Sequence, residues 1–445
     1  MSAPCARLLV SSLLAAPLAA QLPPAPLPQA ERAHLLYPES TIETLFTEFD
    51  IQTLTGTGFV GMNEIATMPD GDLLIGINGN PGTGYVVHRE NDNGALTTVL
   101  TESDIYPIVG GSQSNISFWG MDVDLNGDVY LLLSDSGSFF GPTLVDVHLI
   151  RMPLVGAAPG GFGAPTSLFS FPAEGFSAAP NLRTNVTGTV DLVIDNGIAS
   201  NDNLSTTPGN GLYRWAPGIS TLPAHLESFT DIAAVMSGGG PSLTGGLDAE
   251  DIGVSNMTVG IEKVFLVMAR TSEGASPNND AQAQEPYDGD IVVVDLLSGT
   301  TEVLISRAKY LAHAGAAASI GTDNAHDITQ LNVLCDPFRN RLYTLEQTFM
   351  PDASLRHAQI LQWDATTGNF ETVIASFENL QQPWTSQGID PLFYSTTPGF
   401  GTFGFGLAAY EGSMNLEASG AIVVAIAPGN FQAEGHVLRI TPHNL

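Results

Sequence analysis

Basic residues are scarce in this chain: 14 lysines and arginines stand against 46 aspartates and glutamates, a formal charge of −32 with histidine neutral. Only Lys263 and Lys309 are lysines. Such a surface repels phosphate backbones and anionic lipid headgroups, which excludes nucleic acid and acidic membranes as partners. It suits a salty medium, cationic ligands or divalent ions. Cysteine is nearly absent too. Cys5 lies in an apolar leader, which leaves Cys335 in the strand-like run QLNVLC with no partner for a disulfide. Stability must therefore come from a large core, and Cys335 reads as a buried, inert thiol. Charged residues make up only 13% of the chain, too few to coat many helices. Beyond the leader, no run approaches the roughly 18 uncharged apolar residues that a membrane span needs.

What is abundant is glycine, at 47 residues, proline, at 29, and hydrophobic side chains, at 43%. This is the composition of sheets joined by turns. The start, MSAPCARLLVSSLLAAPLAAQ, has Arg7 before the apolar stretch Leu8 to Leu18 and small residues at Ala19 and Ala20. It reads as a secretory signal peptide over 1–20, cleaved near Ala20, and predicts a secreted or periplasmic protein. Residues 1–20 hold one arginine and no acid, so the remainder carries a formal charge of about −33. Residues 21–39, beginning QLPPAPLPQAE, read as an extended proline-rich linker. The remaining 40–445 would be one all-β domain and a monomer, since closed all-β architectures often use this length as one unit.

Self-similarity organises that domain. A pattern of two apolar residues, a polar or basic one and another large residue recurs in YVVHRE around His88, HLIRMP around Arg151 and GLYRWAPG around Arg214. It returns in DIVVVDLLSG around Val293, QILQWDATTG around Gln362 and HVLRITP around Arg439. Five of the six copies are followed by a turn and a second strand-like segment. After Arg439 only six residues remain, but STIETLFTEFD, Ser40 to Asp50, matches NFETVIASFEN and stands before the first unit. A strand lent by the N-terminus to complete the last unit is how a ring of sheets hides its edges. The expected fold is a six-bladed β-propeller closed by an N-terminal strand.

The stretch MDVDLNGDVYLLLSD, Met121 to Asp135, sets acidic or amide side chains at 122, 124, 126 and 128. A calcium loop would need an acid at its twelfth position, where Leu133 stands, and MPDGD occupies the equivalent place in the first unit without the two preceding acids. Asn126-Gly127 and Asp70-Gly71 are strong hairpin signals instead. In this reading Asp122 and Asp124 share one strand face, and Met121, Val123 and Leu125 the other. GMDVDLNGDVYLLLSD resembles the repeat of NHL-type propellers and of the wider six-bladed superfamily that includes gluconolactonases and the regucalcin group. The resemblance implies the fold and leaves activity open, since that fold hosts lactonases, phosphotriesterases, quinone-dependent dehydrogenases and binding modules.

Long polar segments follow the second strands, at 78–84, 134–146, 195–211, 270–290 and 346–358, and function concentrates in such loops. Residues at the strand mouths form a candidate constellation of metal ligands, Glu64, Asp135, Asp195, Asp248 and Glu346. Asn63, Asn196, Glu250, Asp251, Arg270, His326 and Asp327 stand beside them as candidate ligand-binding groups. Carboxylates converging on an axial channel could hold one Ca²⁺, which would polarise an ester or lactone carbonyl. The gluconolactonase resemblance implies the same chemistry, with Glu64 in the place of the glutamate that enters the first blade, although Ile65-Ala66 stand where that pattern has Gly-Pro. Paired-cysteine metal spacing, phosphate loops and nucleophile elbows are absent. Asn115, Asn185, Asn203 and Asn256 fit the short glycosylation acceptor pattern. Two functions follow: a module binding carbohydrate, peptide or a small molecule through its loops, or a Ca²⁺-dependent lactonase or phosphotriesterase. The residues name no catalytic group and make no cofactor certain beyond this candidate Ca²⁺.

Overall fold

Turn chemistry at Asp70-Gly71 and Asn126-Gly127 sets the first two hairpins, with Gly71 at φ 92° and Gly127 at φ 84°, backbone conformations that side chains with a Cβ resist. The computed structural model describes residues 40–56, 60–79, 84–110, 116–135, 144–174, 181–194, 210–236, 253–269, 290–306, 309, 327–349, 356–378, 414–426 and 436–443. Among them the chain begins with β1 (Ser40–Thr47) and helix α1 (Glu48–Thr55). Blade one follows as β2 (Val60–Thr67), β3 (Leu73–Gly79), β4 (Gly84–Arg89) and β5 (Leu96–Thr101), then α2 (Glu102–Val109). Blade two is β6 (Ile116–Val123), β7 (Val129–Asp135), β8 (Leu144–Met152) and β9 (Thr166–Glu174). Blade three is β10 (Asn181–Thr184), β11 (Val190–Ile194), β12 (Gly211–Trp215) and β13 (Ala224–Ser228), followed by α3 (Phe229–Val235). Blade four is β14 (Gly253–Val259), β15 (Lys263–Ala269), β16 (Ile291–Asp295) and β17 (Thr300–Ile305). Blade five is β18 (Asp327–Asp336), β19 (Arg341–Phe349), β20 (Arg356–Asp364) and β21 (Phe370–Glu378), and β22 (Met414–Leu416), β23 (Ile422–Ile426) and β24 (His436–Pro442) begin blade six.

The described strands form six four-stranded antiparallel sheets, five of them in sequential order. The sixth runs β1-β24-β23-β22, so the N-terminal strand completes the last blade, paired from Ser40 opposite Pro442 to Thr47 opposite His436 with one register shift between Thr44 and Phe46. All six copies of the third-strand pattern occupy third strands.

Near-continuous apolar runs such as VYLLL and IVVV follow from burial on both faces of each blade. In β7, Val129, Leu131 and Leu133 enter the core between blades one and two, while Tyr130 and Leu132 enter the core between blades two and three. Six such clusters form among the described residues, one in each seam between neighbouring blades. Each fully buried aliphatic or aromatic side chain contributes about 1.5–3 kcal/mol, so the seams dominate stability.

Two findings differ from the sequence reading. Ser40 to Asp50 is not all strand, because Thr47 and Asp50 form a reciprocal capping box that starts α1 at Glu48. The same device recurs at Thr101 with Asp104, and Ser228 Oγ accepts from the Asp231 amide at α3. Ile51, Ile105 and Ile232, each next after the capping acid, are buried. Leu125 does not share the apolar strand face: β6 ends at Val123, and Leu125 stands 66% exposed in the turn. Blade three opens on the four-residue β10.

Closure is fastened by Arg439, a buried guanidinium on β24. Its Nε donates to Glu417 at 2.7 Å, Nη1 to Glu43 on β1 at 3.2 Å, and Nη2 to Asn91 of blade one at 2.9 Å. Replacing Arg439 by alanine strips two acids of their shared cation and should lower unfolding free energy by roughly 3 kcal/mol in urea titrations. Arg439→Lys should restore only part of this, since one ammonium cannot serve three directions. Unchanged midpoints for both variants would remove the clasp from the account.

Candidate functional site

Because neighbouring strands are antiparallel, turns from first to second and from third to fourth strands lie at one end of every blade. Connections from second to third strands, and from one blade to the next, leave from the other. These are termed here the hairpin end and the loop end.

Acids at the hairpin end are bound to their own turns, to the third strand of their blade or to the neighbouring blade. Asp124 Oδ1 accepts from the Asn126 amide at 2.8 Å and the Asp128 amide at 3.0 Å. Asp128 accepts from Arg151 Nε and Nη2 and from the Leu154 amide. Asp122 accepts from the Val123 amide and from both the amide and hydroxyl of Thr184. Their oxygens point at N–H and O–H donors, which is the hairpin answer to the motif at 121–135. The third-strand base of the repeat has the same explanation. His88 Nε2 meets Asp72 at 2.8 Å, Arg151 meets Asp128, and Arg214 grips Asp191 side-on at 2.6 and 2.8 Å. Each pair ties a third strand to the first hairpin of its own blade. Burial raises the Asp191 carboxyl above the usual range, and the Arg214 bonds oppose that shift.

Hydrogen bonds also link innermost strands around the axis. Thr67 Oγ1 donates to Asn415 Oδ1 at 2.9 Å and Thr184 Oγ1 to the Val123 carbonyl at 2.8 Å, while Asn415 Nδ2 donates to the Ile65 carbonyl and reaches Asp122 Oδ1 at 3.5 Å. Asn185 Nδ2 donates to the Gly260 carbonyl, so this buried side chain is closed to glycosylation in the folded protein. Thr258 Oγ1 accepts from the Cys335 amide. Cys335 is buried as expected, and burial pushes its thiol up to about 12.

At the loop end the innermost strands carry β-bulges. Register shifts fall at Asn63 in β2, Trp119 in β6 and Ser255 in β14, at matching distances from the strand ends Thr67, Val123 and Val259, with another at Thr329 in β18. Bulges re-aim side chains and recur beside binding sites. Trp119 Nε1 donates to buried Ser134 Oγ at 2.8 Å. Glu64 follows the first bulge and is only 2% exposed. Asp135 ends β7 opposite Ile116, and Asp327 opens β18 opposite Phe349. Glu346 lies deeper than a mouth position, with Gln347, Thr348 and Phe349 between it and the end of β19. The side chains of Asn63, Asp135, Asp327 and Glu346, and the whole of Asp195, Asn196, Asp248, Glu250, Asp251, Arg270 and His326, lie outside the described residues. Among the described residues no three His, Cys, Asp or Glu side chains gather to hold a metal.

Two polar residues that the sequence reading passed over lie on the innermost strand of blade three. Asn181 and Arg183 are buried. The only signal for them was an arginine in the short apolar setting of NLRT.

No family model and no curated protein sequence matches the chain. Solved structures similar to it include Penicillium chrysogenum α-L-arabinanase complexed with arabinobiose, at 11% identity and TM-score 0.44 over 86% of this chain and 93% of that one. Galerina marginata prolyl oligopeptidase B is similar at 12% identity and TM-score 0.37, over 81% of this chain and 37% of that one. Porphyromonas gingivalis dipeptidyl peptidase 4 is similar at 9% identity and TM-score 0.36, over 85% and 45%. The chain thus spans less than half the length of either peptidase. Scores and identities this low carry no argument about activity.

If the 121–135 motif is architecture, Asp128→Ala should destabilise the protein by about 2 kcal/mol, the scale of hydrogen bonds to a charged group. Thermal and urea unfolding should show the same loss in Ca²⁺ and in EDTA. A loss seen only in Ca²⁺ would reinstate the metal loop.

Proposed function

We propose that the protein is an exported β-propeller that binds a ligand or partner through its loop end. The asymmetry between the two ends supports this. Every described first-to-second-strand turn is short, and Asx-type bonds hold hairpin-end turns at Asp124, Asp295, Asp336 and Asp364, while 153–165 is the longest connection at that end. The long polar segments, including 195–210, 237–252 and 270–289, all connect at the other end. A rigid ring with its sequence variety concentrated at one end is built for recognition. Export rests on the leader-like residues 1–20. The test is binding to arrays of neutral and acidic oligosaccharides and of peptides, comparing the intact chain with a variant whose residues 270–289 are replaced by a short Gly-Ser linker. Binding should fall at least about tenfold in the variant, roughly 1.4 kcal/mol, with an unchanged unfolding midpoint. Equal binding by both proteins would overturn the reading.

A Ca²⁺-dependent ester or lactone hydrolase is the second reading, favoured by one observation. Glu64 is a buried carboxylate on the innermost strand of blade one, directly after a bulge. Glu64, Asp135, Asp195, Asp248 and Glu346 would hold the ion, which would supply Lewis acidity toward a carbonyl. Calorimetry with Ca²⁺ tests it: a single site lost in Glu64→Gln supports this reading, and no heat with a melting temperature indifferent to EDTA removes it.

A further inference from the structure

In β10, Leu182 packs into the core shared with blade two, and Thr184 hydrogen-bonds Asp122 of blade two. Strand alternation therefore turns Asn181 and Arg183 to the opposite face, toward blade four, as Asn185 just beyond them confirms by bonding Gly260. Arg183 is 4% exposed and Asn181 1%. Arg183 Nη1 donates to the Leu182 carbonyl at 3.3 Å, but among the described residues its Nε and Nη2 have no hydrogen-bond partner, nor has either amide atom of Asn181. The carboxylate opposite Arg183 in the ladder is Asp191, and both of its oxygens are already held by Arg214.

A buried guanidinium with an unmet donor edge is strongly unfavourable unless something meets it. The unmet edge is the Nε/Nη2 fork, which Arg214 of the same blade uses to take a carboxylate side-on. That fork matches two coplanar oxygens and repels cations. The amide of Asn181, on the same strand face, can donate to or accept from a neighbouring hydroxyl. We propose that Arg183 and Asn181 form a subsite, in the seam between the innermost strands of blades three and four, for the carboxylate of a hydroxy acid such as a uronic acid. Asn181 begins its strand at the loop end, and Arg183 lies two residues deeper, opposite Asp191. The inference deepens the proposed function and rests on it, by giving the bound ligand an acid group.

The test is calorimetry on the full chain with glycolate and D-galacturonate, against D-galactose and inorganic phosphate, at ionic strength fixed with NaCl. Both hydroxy acids should bind at one site, with galactose silent and phosphate weaker. Arg183→Met should abolish binding, while the ligand-free melting temperature stays level or rises because an unmet buried charge is gone. Should Arg183→Met fail to fold, Arg183→Lys keeps the charge without the fork and should bind at least about tenfold more weakly. Wild-type protein that takes up neither acid, binding unchanged in the Arg183 variants, or equal binding of phosphate and glycolate would each overturn the subsite. The two readings fail separately: loop replacement tests the face through array binding, and Arg183 substitution tests the subsite through small-acid binding.

Discussion

The pairing of β1 with β24 is the constraint on which the rest depends. Every blade buries both faces, so without β1 the two seams that hold Ile42 and Phe46 would each lose packing, and the three-stranded last blade would expose an unpaired edge. Lending a strand from the N-terminus removes that edge. Arg439 then joins the N-terminal strand, the first hairpin of blade six and the last turn of blade one through one guanidinium.

The scarcity of basic residues becomes intelligible in this light. Arg151, Arg214 and Arg439, with His88, are spent inside blades as third-strand ties to first-hairpin acids. Other acids are engaged by backbone amides at turns: Asp295 and Asp364 sit below the ordinary carboxylate range, Asp295 chiefly through the Ser298 amide, and Asp364 because desolvation, its largest single influence, is outweighed by the Thr367, Thr366 and Asn340 hydrogen bonds together. The large negative charge is thus partly a consequence of turn construction.

The ring was legible because its carriers are local and periodic: Asp-Gly and Asn-Gly turns, the recurring third strand, and the likeness of Ser40 to Asp50 to the fourth strand of blade five. The capping helices were also written in the sequence, in Thr47 with Asp50 and Thr101 with Asp104, but two short helices in a strand-rich chain leave no periodic trace. The bulges at Asn63, Trp119 and Ser255 were not legible, since a bulge is a relation between two strands. The same holds for Arg183: that the acid opposite it in the ladder, Asp191, is gripped by Arg214 is a relation only the folded blade reveals. Turn-forming acids and candidate site acids look alike in sequence. Asp122, Asp124 and Asp128 proved to be turn and seam residues, and of the candidate carboxylates only Glu64 has a described, buried side chain.

Native-state hydrogen exchange on the β1 amides tests the central claim most directly. If closure holds the ring together, the hydrogen-bonded amides of Ser40 to Thr47 should exchange with the same free energy as those of β24, through global unfolding alone. Early exchange of β1 at low denaturant, with β23 and β24 still protected, would show a frayed strand laid on a ring that closes without it, and would contradict the account.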